Sequence, residues 1–147
     1  MPVEIRVFLV EDLRSTQGLM HELFSSLGGF RIVSTAITEA EANLWLEENP
    51  TGWDFAVVDL VLEQGTGMGV IARARSFPAA GKIVAFSSYA SPGVRNHCLR
   101  LGADAVFDKS DPAGFIQYCV GLAERENSGP SEAGAARRAA ARKPPIA

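Results

Sequence analysis

Five polar residues stand at or just after apolar runs of this 147-residue chain, and their types could do chemistry together. They are Glu11, Asp12, Asp59, Ser87 and Lys109. Three are carboxylates, and carboxylates that lie close together repel one another unless a cation lies among them. If the fold brings the five residues together, they form an acidic cleft that also contains a hydroxyl and an ammonium group. Whether the five residues can act together therefore depends on the strands and helices that position them.

Hydrophobic periodicity predicts five strands alternating with five helices. The strands are EIRVFLV (4–10), FRIVSTA (30–36), WDFAVVDL (53–60), KIVAFS (82–87) and ADAVF (103–107). The helices run from about Leu13 to Leu27, from Thr38 through Asn49, over 68–76, from Ser91-Pro92, and from Asp111-Pro112 to about Arg125. Leu19, Leu23 and Leu27 are expected to form the buried stripe of the first helix, and Thr38 with Glu41 resembles a capping box.

This alternation is typical of an α/β fold with a parallel sheet. The first, third and fourth strands are almost wholly apolar, as expected when helices cover both faces of a sheet. Right-handed crossovers leave few topologies, and the doubly wound order 2-1-3-4-5, a flavodoxin-like three-layer sandwich, is the leading candidate. Functional groups in such sheets gather outside the carboxyl ends of the strands. We therefore expect the five polar residues to converge at one edge of the sheet.

The converging residues suit phosphoryl transfer assisted by a metal ion. Oxygen ligands from Asp12 and Asp59, a backbone carbonyl and waters are typical of Mg²⁺, whereas zinc usually takes His or Cys, which no strand end offers. With Mg²⁺ bound, a carboxylate can attack a phosphoryl group and form an aspartyl phosphate. Asp59 is the expected nucleophile because it ends the central strand. Lys109 and the Ser87 hydroxyl could then contact phosphoryl oxygens.

Composition and charge indicate a folded body with a tail. Residues 1–125 carry 10 basic and 15 acidic side chains, whereas the Ala/Arg/Pro-rich stretch 126–147 carries 4 and 2. The second stretch has almost nothing to bury, which predicts a flexible tail behind one domain at 1–125. The acidic body argues against a nucleic-acid-binding domain. For the basic cluster RRAAARK in the tail, contact with nucleic acid or a membrane surface stays open beside simple solvation.

Membrane-span length, signal-peptide pattern and cysteine spacing together indicate the cellular compartment of the protein. No apolar run approaches the length of a membrane span, and the start MPVEIRV is not a signal peptide. Cys98 and Cys119 lack the spacing of a metal site and are expected to be buried thiols. We therefore expect a cytoplasmic protein.

Four short motifs resemble those of the receiver domains of two-component response regulators. They are VED (10–12), VVDL (57–60), FSS (86–88) and FDKS (107–110), in this order. The loop LVLEQGTGMGV and the LGAD before the fifth strand are also similar, so the resemblance covers residues 4–125. It implies a phosphorelay signalling domain, not an enzyme that turns over an independent substrate. The phosphoryl donor would be a histidine kinase or a histidine phosphotransfer protein.

The resemblance also implies a role for each matching residue. Asp59 would be the phosphoacceptor, Asp12 a direct Mg²⁺ ligand, and Glu11 would act largely through water. The main-chain carbonyl of Val61 would complete the ligands that the protein supplies to Mg²⁺.

The phosphoryl group would meet two further residues. Ser87 would be the switch hydroxyl and Lys109 the lysine that pairs with the phosphate. Tyr89, two residues past Ser87, would overhang the site and modulate the access of water to the acyl phosphate.

Two positions depart from the family's pattern. Val106 stands where the family usually has an aromatic switch residue, and Phe107 is expected on the other face of the fifth strand because strand side chains alternate. The readout at Val106 should therefore differ from an aromatic rotamer flip. Ser110 replaces the proline that commonly follows the lysine. Neither change removes a group needed for phosphorylation.

The output is expected to be a protein contact. Only the tail follows the last helix, so we expect a stand-alone receiver without a DNA-binding domain. It would act on a downstream protein, or pass on the phosphoryl group, through the face of the fourth helix, fifth strand and fifth helix. A homodimer stays open. Gly65, Gly67 and Gly69 are expected to form a flexible loop beside Asp59, not a dinucleotide site.

Two other classes of protein remain as alternatives. One is a pseudo-receiver, a binding module that never turns over phosphate. The other is a phosphohydrolase of the haloacid dehalogenase type, which would need a second aspartate two residues after the first, where Val61 stands.

Overall fold

The computed structural model describes residues 4–127 and contains ten elements that alternate strand and helix. The strands are β1 (Ile5–Val10), β2 (Phe30–Ala36), β3 (Phe55–Val58), β4 (Lys82–Ser87) and β5 (Ala105–Asp108). The helices are α1 (Arg14–Leu27), α2 (Glu39–Glu48), α3 (Gly67–Arg75), α4 (Pro92–Leu101) and α5 (Pro112–Asn127). The predicted alternation is confirmed, with element ends within a few residues of the expected ones. The expected tail lies outside the described residues, apart from the end of α5.

The strands form one parallel sheet in the order β2-β1-β3-β4-β5, as predicted. The register aligns the carboxyl ends of the central strands, since Val10 pairs with Val58 and Val58 pairs with Ala85. Ser87 pairs with Asp108 at the next strand boundary. The residues that follow β1 and β3 are therefore brought to the same edge of the sheet.

Helices cover both faces of the sheet and create two cores. On one face, α2, α3 and α4 bury residues that include Leu46, Ile71 and Cys98. On the other face, α1 and α5 bury residues that include Phe24 and Phe115. The all-apolar β3 divides its side chains between the two cores, with Ala56 and Val58 on one side and Phe55 and Val57 on the other. The three-layer sandwich follows from this alternation, because a strand that is covered on both faces needs apolar residues at every position.

The buried stripe of α1 was predicted incorrectly in part. Leu19 is 64% exposed, whereas Met20 and Phe24 are buried, with Leu23 and Leu27 packed beside them. Positions 20, 23, 24 and 27 follow the i, i+3, i+4, i+7 spacing of one helix face, and Leu19 lies about 100° around the helix from Met20. The leucines are spaced regularly, but the side of α1 that faces the sheet is the one that carries Met20 and Phe24.

The predicted helix starts are confirmed where a capping residue was recognised. Thr38 accepts a hydrogen bond from the N–H of Glu41 at 3.1 Å, and Ser91 accepts one from Val94 at 3.3 Å, with Pro92 as the first helical residue. These contacts satisfy backbone donors that a helix leaves unpaired at its start.

The two cysteines are buried free thiols, as predicted. Burial raises the pKa of Cys119 to about 12 and also raises that of Cys98. Such thiols remain protonated and are poor nucleophiles.

The amino edge of the sheet carries an ion pair between buried Asp54 and partly exposed Arg6. Asp54, which is 9% exposed, accepts hydrogen bonds from the backbone N–H of Arg6 at 2.9 Å and from its guanidinium at 3.0 and 3.1 Å. The pair ties the start of β3 to β1, at the opposite edge from Asp59.

Across residues 4–127, no helix is both long enough and apolar enough to cross a membrane.

Candidate functional site

Three carboxylates meet at the carboxyl edge of the sheet. Oxygen atoms of Glu11, Asp12 and Asp59 all lie within 4.8 Å of one another. Glu11 and Asp59 are 2% and 6% exposed, so two of the three charges are almost withdrawn from water. Their position follows from the register, because the N–H of Asp59 donates to the carbonyl of Val10 at 2.9 Å and places the end of β3 beside the end of β1.

Lys109 supplies the positive charge of this cluster. Its Nζ donates to Oε1 of Glu11 at 2.6 Å and to Oδ2 of Asp59 at 3.0 Å. The backbone N–H of Lys109 also donates to the carbonyl of Ser87 at 3.1 Å, which holds the residue against the end of β4. The expected convergence is therefore seen for the three carboxylates and Lys109, and the main chain of Ser87 adjoins Lys109. The three carboxylates outnumber the ammonium group of Lys109.

Burial and neighbouring charges shift two pKa values in the cluster. Burial raises the pKa of Glu11, opposed by hydrogen bonds from Lys109 and Leu13 and supported by the charge of Asp59. Burial lowers the pKa of Lys109, but its hydrogen bonds and charge interactions with Glu11 and Asp59 more than offset burial, so this pKa is raised. Lys109 is therefore positively charged at neutral pH, and the burial of Glu11 is tolerated largely because of that charge.

The loop between β3 and α3 donates backbone hydrogen bonds to two of the three carboxylates. Oδ2 of Asp12 accepts a hydrogen bond from the N–H of Glu63 at 2.8 Å, and Oδ1 of Asp59 accepts one from Val61 at 3.3 Å. Val61 also forms an isolated antiparallel bridge with Thr66. The main chain at Val61 thus lies next to Asp59, and its side chain is 50% exposed.

Ser87 and Tyr89 lie at the end of β4. Ser87 is fully buried, and its Oγ accepts a hydrogen bond from the N–H of Tyr89 at 3.3 Å. Tyr89 is 63% exposed. Through this bond the Ser87 hydroxyl contacts the loop that leads to α4.

The position expected to be a switch is occupied by a buried aliphatic residue. Val106 is 3% exposed in the core with α2, α3 and α4, while Phe107 belongs to the opposite core and packs edge-on against Phe115 at 5.9 Å. The predicted alternation of Val106 and Phe107 is confirmed. The guanidinium of Arg95 on α4 donates to the carbonyl of Val106, a contact between α4 and β5 that sequence reasoning missed.

A hydrogen-bonded turn follows Lys109 where the family commonly has proline. The N–H and Oγ of Ser110 donate to Oδ1 of Asp108 at 2.8 and 2.7 Å. These bonds lower the pKa of Asp108, with the backbone bond as the larger cause. The turn is thus held by hydrogen bonds to the carboxylate of Asp108 instead of by a proline ring.

The expectation of a flexible glycine loop is wrong for two of its three residues. Gly67 and Gly69 belong to the first turn of α3, and only Gly65 lies in the loop, with a φ of 83°. A Cβ at Gly67 would overlap the backbone of Asp59 and Leu60, so this glycine permits close approach instead of motion.

Sequence reasoning missed two contacts of the site, because each of them involves a backbone atom. Gln17 on α1 donates its side-chain N–H to the carbonyl of Glu11 at 2.7 Å, and Glu63 contributes its backbone. A backbone donor has no side-chain signature. For Gln17, the spacing of six residues after Glu11, at the start of a helix, was the one available signal.

The donor set fits a hard divalent cation. The carboxylates of Glu11, Asp12 and Asp59 offer only oxygen atoms, and Mg²⁺ prefers oxygen ligands together with water. Both oxygens of Glu11 accept hydrogen bonds from the protein, one from Lys109 and one from Leu13. A contribution of Glu11 through water is compatible with that arrangement.

Comparison with known proteins identifies the class. The family model for the response regulator receiver domain matches residues 7–118, and the chain belongs to this family. Such domains are signalling modules of two-component systems that generally bind Mg²⁺ at an acidic pocket and are phosphorylated on aspartate. No curated protein sequence matches the chain.

Solved structures share the fold. A chain of the CheX–CheY–BeF₃–Mg complex from Borrelia burgdorferi is 21% identical with a TM-score of 0.73, and covers 82% of this chain and 90% of its own length. A LuxR-family response regulator from Aurantimonas is 24% identical with a TM-score of 0.72, at 95% and 98% coverage. The phosphorylated cyanobacterial phytochrome response regulator RcpA is 23% identical with a TM-score of 0.70, at 84% and 94% coverage.

Proposed function

We propose that this protein is a phosphorylation-dependent switch whose phosphoacceptor is Asp59. A carboxylate oxygen of Asp59 attacks phosphorus, and the bond from phosphorus to the donor breaks. The donor is a histidine kinase or a histidine phosphotransfer protein. The observation that carries this proposal is the cluster of Glu11, Asp12 and Asp59, two of which bind the ammonium group of Lys109, assembled from three strand ends.

Each residue in the cluster has one task in this proposal. Asp12, Asp59 and the main-chain carbonyl of Val61 would hold Mg²⁺, with Glu11 acting through water. Bound there, Mg²⁺ would supply positive charge next to the phosphoryl oxygens. Lys109 is already bonded to Oδ2 of Asp59, so it is positioned to follow a phosphoryl group placed on that carboxylate.

The signal leaves the site through the end of β4. A phosphoryl oxygen accepting a hydrogen bond from the Ser87 hydroxyl would move the loop that carries Tyr89 towards Asp59, and α4 with it. The affected surface is the face of α4, β5 and α5, which we propose as the binding site for a downstream protein. The division into a receiver body at 1–125 and a tail at 126–147, and a location in the cytoplasm, belong to the same proposal.

Incubation with acetyl phosphate and Mg²⁺ tests the proposal. We expect intact-mass spectrometry to show one added phosphoryl group on the wild-type protein and none on Asp59→Asn, which keeps the shape of the side chain but is a poor nucleophile. Asp111→Asn, an exposed aspartate at the start of α5, is the matched control and should be phosphorylated normally. A wild-type protein that stays unmodified would favour a pseudo-receiver, and a phosphorylated Asp59→Asn would exclude Asp59 as the acceptor.

A further inference from the structure

Glu39, the first residue of α2, bridges α2 to the loop between β3 and α3. Its Oε1 accepts a hydrogen bond from the backbone N–H of Thr66 at 2.8 Å, and its own N–H donates to the carbonyl of Gln64 at 3.1 Å. The two bonds lie on either side of Gly65. One residue of α2 therefore holds both flanks of the loop's last turn.

Two glycines make room for this contact. A Cβ at Gly65 would overlap the Cβ of Glu39, and a Cβ at Gly69 would overlap its carboxylate. The carboxylate thus packs against the first turn of α3, at the positive end of that helix dipole, where a negative charge is favourable. The close fit shows that the side chain of Glu39 is part of the loop's packing.

The bond to Thr66 acts on the metal-binding part of the loop. Thr66 forms the antiparallel bridge with Val61, and the next N–H, that of Gly67, donates to the carbonyl of Leu60 at 3.0 Å. Holding Thr66 therefore limits the positions available to the chain at Val61. The main-chain carbonyl of Val61 is a Mg²⁺ ligand in the proposed function. The path of the backbone, and not a side-chain rotamer, sets the direction of this carbonyl.

We propose that Glu39 is a positioning residue for Mg²⁺ binding, acting through the backbone of Thr66 on the carbonyl of Val61. This inference rests on the proposed function. The hydrogen bond to Thr66 carries the effect, and the charge of Glu39 does not. When a residue that orients a metal ligand is removed, metal affinity typically falls by about 10–100-fold.

The test compares Glu39→Ala, Glu39→Gln and the control Glu41→Ala by Mg²⁺ titration calorimetry. Glutamine keeps an acceptor oxygen at the same position, so Glu39→Gln should bind Mg²⁺ within about twofold of wild type, whereas Glu39→Ala should bind about tenfold more weakly. Glu41 is an exposed carboxylate in the same first turn of α2, and its removal should leave the affinity unchanged.

A second measurement needs no metal. Amide hydrogen exchange in the metal-free protein should show the Thr66 N–H exchanging about tenfold faster in Glu39→Ala, with Glu39→Gln and Glu41→Ala close to wild type. Equal exchange rates or equal Mg²⁺ affinities in Glu39→Ala and Glu41→Ala would overturn the inference. So would a Glu39→Gln protein as weak as Glu39→Ala, because the effect would then come from charge.

The failure of this inference is distinguishable from failure of the proposed function. If the wild-type protein is phosphorylated on Asp59 but Glu39→Ala binds Mg²⁺ as tightly as wild type does, only the inference is contradicted. A wild-type protein that binds no Mg²⁺ contradicts the proposed function and the inference with it.

Discussion

Lys109 is the residue on which the balance of the cluster depends. It donates to Glu11 and Asp59, which are both almost fully buried. A buried carboxylate without a partner is far more costly than the same group paired, so the interaction is best judged by what its removal leaves behind. The same bonds that stabilise the metal-free protein also keep the ammonium group beside the proposed phosphorylation site.

Replacing Lys109 with methionine should therefore destabilise the metal-free protein. Two buried carboxylates would lose their cation, at a cost of about 2–4 kcal/mol in the free energy of unfolding. Because Mg²⁺ would then be the main available counter-charge, it should raise the stability of Lys109→Met more than that of wild type. Urea unfolding in EDTA and in Mg²⁺ measures both effects.

The matched control is Lys82→Met, which removes an exposed lysine at the start of β4. It should change the free energy of unfolding by less than about 0.5 kcal/mol. Equal stability of Lys109→Met and Lys82→Met in EDTA would show that the bonds of Lys109 contribute nothing to the fold.

At the scale of elements, the start of α3 is built against the end of β3. The N–H of Gly67 donates to the carbonyl of Leu60, and the missing side chain lets the helix lie on the backbone of Asp59. The loop between them is short and tied to Asp12 through Glu63. The geometry around Asp59 therefore depends on how closely a helix approaches a strand.

Two glycine substitutions separate close approach from helix propensity. Gly67→Ala should lower the free energy of unfolding by more than about 2 kcal/mol, because its Cβ would overlap backbone atoms that cannot move away cheaply. Gly18→Ala lies within α1 with open space around the added methyl group, and should stabilise the protein by about 0.5–1 kcal/mol.

Thermal and urea unfolding of both variants checks this prediction. Gly67→Ala should also be phosphorylated more slowly by acetyl phosphate, since the backbone of Asp59 must shift. A Gly67→Ala protein as stable as wild type would mean that α3 can move away from β3 without cost.

At the scale of the whole molecule, the two edges of the sheet have different tasks. The carboxyl edge gathers buried charges that favour binding a cation. The amino edge carries the pair of Asp54 with Arg6, and a related contact joins Arg75 to Asp104 at 2.7 Å. The first pair joins the residue before β3 to β1, and the second joins the end of α3 to the residue before β5. We therefore expect a substitution at the amino edge to change stability and leave phosphorylation of Asp59 nearly unchanged.

Replacing Asp54 with alanine tests this separation. The backbone N–H and the guanidinium of Arg6 would lose an acceptor, and the free energy of unfolding should fall by about 1–3 kcal/mol. The rate of phosphorylation by acetyl phosphate, measured well below the melting temperature, should stay within about twofold of wild type because Asp59 lies at the opposite edge. A large change in that rate would show that the edges are coupled.

The control for Asp54→Ala is Glu4→Ala. Glu4 forms a salt bridge with Arg31 at 2.6 Å in which both side chains are more than half exposed. Solvent screens such pairs, so removing this one should change stability by less than about 0.5 kcal/mol.

Much of the fold was predictable because local sequence patterns indicate its strands and helices. Apolar runs and capping residues such as Thr38 and Ser91 depend on near neighbours, so strands and helix starts can be recognised one segment at a time. The parallel sheet then follows from alternation, and the chemistry from a polar residue at each strand end. Leu19 shows the limit of this reasoning, because regular spacing identifies a helix but not which of its faces is buried.

Apolar patterns and the polar residue at each strand end were enough to predict the leading strand order, the edge at which Asp59 and its neighbours meet, and the kind of cation that their oxygens suit. The folded chain was needed to see how Lys109 divides its bonds between Glu11 and Asp59, that Arg95 reaches the carbonyl of Val106, and that Glu39 holds Thr66. The physical reason is that these contacts join residues from separate elements, and several involve backbone atoms that every residue type possesses. Their partners become identifiable only when packing has fixed the distances.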